Sequence, residues 1–119
     1  MKRYYDSINK RLVYCEQVAS PDFWDSHWRA DDFKKAIWSG NRFVARWTLR
    51  YLPTGSKVLE GGCGRGQNVY ALKKAGYDAF GVDFAHETVS LVNLLAPEQD
   101  IRKGDVRNLP FENCFFDGY

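Results

Sequence analysis

Seven consecutive residues, Glu60-Gly61-Gly62-Cys63-Gly64-Arg65-Gly66, combine four glycines with an acid, a thiol and a guanidinium. Glycines this dense let backbone approach a ligand closely. The flanking sequence sets them between a short extended run, Lys57-Val58-Leu59-Glu60, and a helix marked by Val69, Leu72 and Ala75. A strand that turns through glycines into a helix presents backbone N–H groups to a polar, nucleotide-like guest. The spacing then narrows which nucleotide. Counted from Gly62 and Gly64, the third position of the dinucleotide pattern G-x-G-x-x-G is Gln67, and the other registers put Cys63 or Val69 where glycine is required. That weakens a nicotinamide reading. Arg65-Gly66-Gln67-Asn68 has no Lys-Ser/Thr pair to grip a triphosphate and magnesium. Two more acids, Asp83 and Asp105, stand at the ends of predicted strands. Asp83 falls 19 residues after Gly64. A thiol at Cys63 could be a nucleophile, but no histidine lies near it in sequence to activate it, and a small packed residue is the expected role.

The elements that must position these groups are legible as an alternation. Lys57–Glu60 predicts a strand, the helix after it is closed by Gly76, and Asp78–Val82 predicts a second strand. Glu87–Ala96 predicts a helix stopped by Pro97, Asp100–Lys103 a third strand, and Cys114–Tyr119 a fourth. Strand and helix in alternation imply a parallel sheet wound with right-handed crossovers, an α/β fold of Rossmann-like type. Residues 1–52 read as an N-terminal helical cap. Ile8, Leu12, Cys15 and Ala19 step at helical spacing, and Ser20-Pro21-Asp22 caps a second helix running towards Gly40 with a break near Ala30-Asp31. A third helix runs from Asn41 to Leu52 before Pro53 and Gly55. The sheet is expected to be truncated after about four strands, so residues 53–119 read as the front part of a longer domain. A partner or a second copy would then cover the unfinished edge.

Composition limits the rest. A chain of 119 residues, 45% hydrophobic and 16% aromatic, has room for one globular core. The net charge of +2 is too small to drive binding to nucleic acid or an anionic membrane. It divides into ten basic and six acidic groups over residues 1–52 and seven and nine over residues 53–119. No apolar run reaches the roughly 20 residues that span a bilayer, and the expectation is a cytoplasmic protein. Cys15, Cys63 and Cys114 form neither a disulfide framework nor a zinc spacing, and His27 and His86 read as surface or capping histidines, so no metal site is expected.

E-x-G-C-G-x-G at Glu60–Gly66 resembles the first motif of the class I S-adenosylmethionine-dependent methyltransferases. Gly81-Val82-Asp83-Phe84 is similar to the family's acidic second motif and Gly104-Asp105-Val106 to its third. Leu109-Pro110-Phe111 through Phe115-Phe116-Asp117 resembles the approach to the fourth. The resemblance implies S-adenosylmethionine as cofactor, held by Glu60, Gly61, Gly62, Cys63, Gly64, Asp83, Phe84, Asp105 and Val106. Backbone around Glu60–Gly66 would meet the methionine moiety, with the Glu60 carboxylate orienting the loop or a water beside its ammonium. Asp83 would accept the ribose hydroxyls, Phe84 would face the adenine, Asp105 would accept from its exocyclic amine and the Val106 N–H would donate to a ring nitrogen. An Asp at a strand end also serves as a helix cap, and a glycine cluster as a tight turn. The combination of four motifs in the family's order favours binding.

Phe23-Trp24-Asp25-Ser26-His27-Trp28 is similar to the aromatic opening of thiopurine-type and related small-molecule methyltransferases, and the superfamily resembled is small-molecule, thiopurine-like or ubiquinone-biosynthesis-like. It points to a small-molecule methyl acceptor. Most of Phe23, Trp24, Trp28, Phe33, Trp38, Phe43 and Trp47 are expected to pack in the core. Arg42, Arg46 and Arg50, at four-residue spacing, are expected to form a solvated helix face rather than an RNA stripe. No residue presents itself as a general base. A cofactor-binding module without catalysis and, more weakly, an NAD-dependent oxidoreductase remain as alternatives.

Overall fold

The computed structural model describes residues 2–15, 20–28, 33–40 and 42–119. The chain opens on an antiparallel hairpin, β1 (Lys2–Asp6) and β2 (Arg11–Cys15), in register from Lys2 opposite Cys15 to Asp6 opposite Arg11. The first expected helix is therefore absent, and its residues turn a corner instead. The Asp6 carboxylate accepts the Asn9 backbone N–H at 3.1 Å, the Asn9 side-chain amide at 2.8 Å and Arg11 Nε at 3.3 Å. Lys10 takes a left-handed φ of 50°. This local bonding closes a turn where helical spacing alone suggested continuity. Ile8 and Leu12 consequently stand 89% and 55% exposed rather than lining a buried stripe. Ala19 lies outside the described residues.

Two helices follow, α1 (Pro21–Trp28) and α2 (Phe33–Ile37). The start of α1 is as expected from Ser20-Pro21: the Ser20 hydroxyl accepts the Phe23 N–H at 3.2 Å. The anticipated break at Ala30-Asp31 lies outside the described residues, as does Asn41. α3 (Arg42–Tyr51) turns Ala45 into the core and ends before Pro53. Its outer edge corrects the expectation that the aromatics pack inside. Phe43 is 62% exposed and Trp47 and Tyr51 are also exposed, because Val44, Ala45 and Leu52 already fill the side facing the core. Trp24 and Trp38 are likewise only partly covered, while the side chains of Trp28 and Phe33 lie outside the described residues. Arg42, Arg46 and Arg50 lie exposed, with Arg50 over the Trp47 ring.

The principal sheet is parallel: β3 (Lys57–Gly61), α4 (Gln67–Lys74), β4 (Asp78–Asp83), α5 (His86–Leu95), a 3-10 turn at Pro97–Gln99 and β5 (Ile101–Lys103). Strand order is β3-β4-β5, with Val58 opposite Ala79 and Gly81 opposite Ile101. The expected fourth strand is reduced to one parallel bridge, Gly118 to Val58, on the free side of β3. Cys114 has a left-handed φ of 59°, and the Phe115 and Phe116 rings pack edge-on against Phe80 at 5.8 and 5.5 Å. Burying those rings bends the segment away from the sheet until Asp117. There the Asp117 carboxylate accepts the Lys57 N–H at 2.7 Å, and the Gly118 carbonyl accepts the Leu59 N–H at 3.0 Å. β3 thus has successive strands on one side and the returning chain on the other. It is the strand at which the winding reverses.

The core lies between the sheet and helices α4 and α5. Val69, Ala79, Val89 and Val92 are fully buried, each burial worth about 1.5–3 kcal/mol for a valine. Among the described residues, no helix is long and apolar enough to cross a membrane.

Candidate functional site

The carboxyl ends of β3, β4 and β5 meet at one edge, and backbone bonds tie their three loops together. The Val82 carbonyl accepts the N–H groups of Gly62 at 2.8 Å and Cys63 at 3.1 Å. The Asp83 carbonyl accepts that of Gly104 at 2.9 Å. The Asp83 side chain completes the junction. Its Oδ2 accepts the Gly64 N–H at 2.6 Å and its Oδ1 the Ala85 N–H at 2.8 Å, with the residue only 7% exposed. The capping reading of an Asp at this position is realised: it steadies the turn into α5, and it also clamps the glycine loop. Two of its roughly four lone-pair sites are used in this way.

The loop itself divides by face. Gly61 and Gly62 are exposed, and a Cβ built on Gly62 would meet nothing within 4 Å. The Gly62 backbone faces open space, at a φ of 72° that glycine adopts without strain, whereas a Cβ on Gly61 would run into the Tyr119 ring and hydroxyl. Gly66, at φ 74°, is needed for the opposite reason: a Cβ there would run into the Ile101 side chain. Cys63 turns inward, 5% exposed, and its Sγ would lie 2.6 Å from a Cβ on Gly81. Burial, reinforced by the charges of Asp83 and Glu60, pushes its thiol well above the usual range. Cys63 is thus a packed residue whose side chain does not reach the open face.

Glu60 leaves β3 towards α4. Its Oε1 accepts from Asn68 Nδ2 at 2.7 Å, while its Oε2 is buried with no partner. Burial raises its carboxyl above the ordinary value, the Asn68 bond opposes that, and the Asp83 charge adds to it. Asn68, in the first turn of α4, was not singled out by its sequence context. The only signal was a polar side chain eight residues after Glu60, on the helix that the glycine loop feeds. Gln67 beside it also keeps a buried carboxamide oxygen without a partner.

The remaining expected residues are less uniformly placed. Phe84 is half-buried, and its ring meets that of the exposed His86 at 5.9 Å. Val106 is 48% exposed and borders Gly61. Asp105 is at the predicted strand end, but its carboxylate belongs to Arg107. It accepts Arg107 Nε at 2.9 Å, Nη2 at 2.5 Å and the backbone N–H at 2.9 Å, which holds it down to about 2. The side chain of His27 lies outside the described residues, and no cluster of three metal-ligating residues occurs among those described.

An open parallel sheet whose glycine loop and acidic strand ends converge at the switch point is the geometry of the Rossmann-like nucleotide-binding class. The family described as "Methyltransferase domain" matches residues 59–119. The chain belongs to that family of methyltransferase domains. Among solved structures, the PH0226 protein from Pyrococcus horikoshii OT3 superposes with a TM-score of 0.55 at 24% identity, over 75% of this chain and 42% of that one. A TehB-like SAM-dependent methyltransferase from Corynebacterium glutamicum ATCC 13032 Kitasato matches at TM-score 0.48 and 29% identity, over 71% of this chain and 45% of that one. The chain spans under half the length of either. No curated protein matches it.

Proposed function

We propose that the chain binds S-adenosylmethionine across the ends of β3, β4 and β5 and serves methyl transfer to a small-molecule acceptor. The observation that carries this reading is the pairing of open backbone at Gly62 with a buried, unpartnered acceptor, Glu60 Oε2. An orphaned buried acceptor costs stability unless something donates to it. The ammonium of a methionine moiety is such a donor, and the Asn68 bond leaves that oxygen free to meet it. Asp83 has lone pairs to spare for a ribose diol and would repel a 2′-phosphate. Phe84 offers an apolar ring to the adenine, and the Val106 backbone stands by to donate to a ring nitrogen. Asp105 can accept the adenine amine only by exchanging its exposed partner Arg107. Cys63 takes part through the shape of the loop alone.

The cofactor supplies a methyl group already activated by a sulfonium charge. The chain's own contribution is alignment and exclusion of water. The lack of a third dinucleotide glycine and the family match both favour this over a nicotinamide enzyme. Isothermal titration of the chain with S-adenosylmethionine, S-adenosylhomocysteine and NADH tests the reading. Saturable binding of the first two and none of the third is expected, and binding of NADH alone would refute it.

A further inference from the structure

Helix α5 begins without a cap of its own. The residue at its N-cap position is Ala85, whose backbone is extended (φ −75°, ψ 90°) as a cap requires, but whose side chain can accept nothing. The missing acceptor arrives from 60 residues earlier in the chain. Asp25, in the middle of α1 and 3% exposed, accepts the Glu87 N–H at 3.0 Å, the Thr88 N–H at 2.8 Å and the Thr88 hydroxyl at 2.8 Å. Glu87 and Thr88 are the second and third helical residues, the two whose N–H groups a capping side chain normally serves. Burial acts to raise the Asp25 carboxyl, but these bonds, with the charge of His86, hold it below the ordinary value. The junction sits four and five residues beyond Asp83, whose Oδ1 accepts the Ala85 N–H of the same turn. Two carboxylates from distant parts of the chain thus share the amides at the start of one helix, one facing the glycine loop and the other carrying α1.

We infer that Asp25 is a positioning residue for the cofactor site: by capping α5 from α1, it fixes α1 as a wall beside the carboxyl end of β4, and adenosine affinity depends on that attachment. An eight-residue helix is too short to hold its place by propensity, so its position is set by what it docks on. A local capping side chain would serve one of these amides, whereas the remote carboxylate serves both and the Thr88 hydroxyl as well. What it adds is a link between α1 and the turn that follows Asp83. This inference rests on the S-adenosylmethionine reading.

Asp25→Ala, and Asp25→Ala combined with Ala85→Ser, test it. The serine gives α5 a cap of its own without reattaching α1. Thermal unfolding and S-adenosylmethionine titration are measured on the unmodified chain and both variants. Asp25→Ala is expected to lower the midpoint and weaken binding about tenfold. Adding Ala85→Ser is expected to recover part of the midpoint while leaving the affinity weak. Recovery of both would make Asp25 a structural cap only and overturn the proposal, as would unchanged affinity in Asp25→Ala. Should the midpoint stay low in the double variant, backbone hydrogen exchange decides: faster exchange over α1 than over α5 supports the proposal, and equal exchange overturns it. Failure of the unmodified chain to bind S-adenosylmethionine would instead refute the cofactor reading itself, and the inference with it.

Discussion

Asp83→Asn separates the structural task of this carboxylate from its binding task. Asp83 accepts two amides, Gly64 at 2.6 Å and Ala85 at 2.8 Å, in a site where it is 7% exposed. Asparagine offers one acceptor oxygen and one donor NH2. Whichever way the amide sits, one of the two backbone N–H groups then faces another donor. The loss is one charge-assisted bond to a buried amide, about 1.5–3 kcal/mol. At this chain length roughly 4 °C of Tm corresponds to 1 kcal/mol, so the expected fall is about 6–12 °C. Circular dichroism melting without ligand is the assay, because the clamp exists before anything binds. Affinity for S-adenosylmethionine is expected to fall about tenfold or more in the same variant, measured separately, since a ribose hydroxyl loses a charged acceptor. A ligand-free Tm within about 2 °C of the unmodified chain would refute the clamp, for no buried donor could then have been left facing another.

Two further outcomes follow from the same loop. Glu60 has its carboxyl raised from the ordinary 4.5 by burial foremost. Because the folded value lies above the unfolded one, its contribution to stability is fully present below the unfolded value and is lost as pH rises through the folded one. A cationic ligand prefers the ionised form, so S-adenosylmethionine affinity should climb through that same window above 4.5, with proton release seen by calorimetry in buffers of different ionisation enthalpy; Asn68→Ala, which removes the opposing bond, should move the window upward, and a flat pH profile would contradict the Glu60 role. Gly66→Ala combines a left-handed backbone with a clash at Ile101 and should cost about 1–3 kcal/mol in urea unfolding, whereas an unshifted midpoint would contradict the packing.

How far the site could be read in advance depended on whether the cause was local. Gly62, Gly64 and Gly66 adopt left-handed φ values at a strand-to-helix turn, and that requirement is visible wherever glycines gather after a short apolar run. The acids at the strand ends were legible for the same reason. Their working partners were not. Asn68 reaches Glu60 only because α4 folds back beside β3, and Arg107 takes Asp105 by a turn that no spacing announces.

The sequence by itself determined the alternation of β3, α4, β4, α5 and β5, the placement of the glycine loop and the Ser20-Pro21 start of α1, because periodicity and capping chemistry act within a few residues. Tertiary structure alone decided the rest. The last expected strand shrank to a bridge at Gly118 when Phe115 and Phe116 found Phe80. Asp25 became the cap of a helix whose capped amides lie 62 and 63 residues away. In each case the deciding partner is set by which surfaces meet after the chain has collapsed, and burial of aromatic area or of an amide without water outweighs the local preference of a few tenths of a kcal/mol per residue.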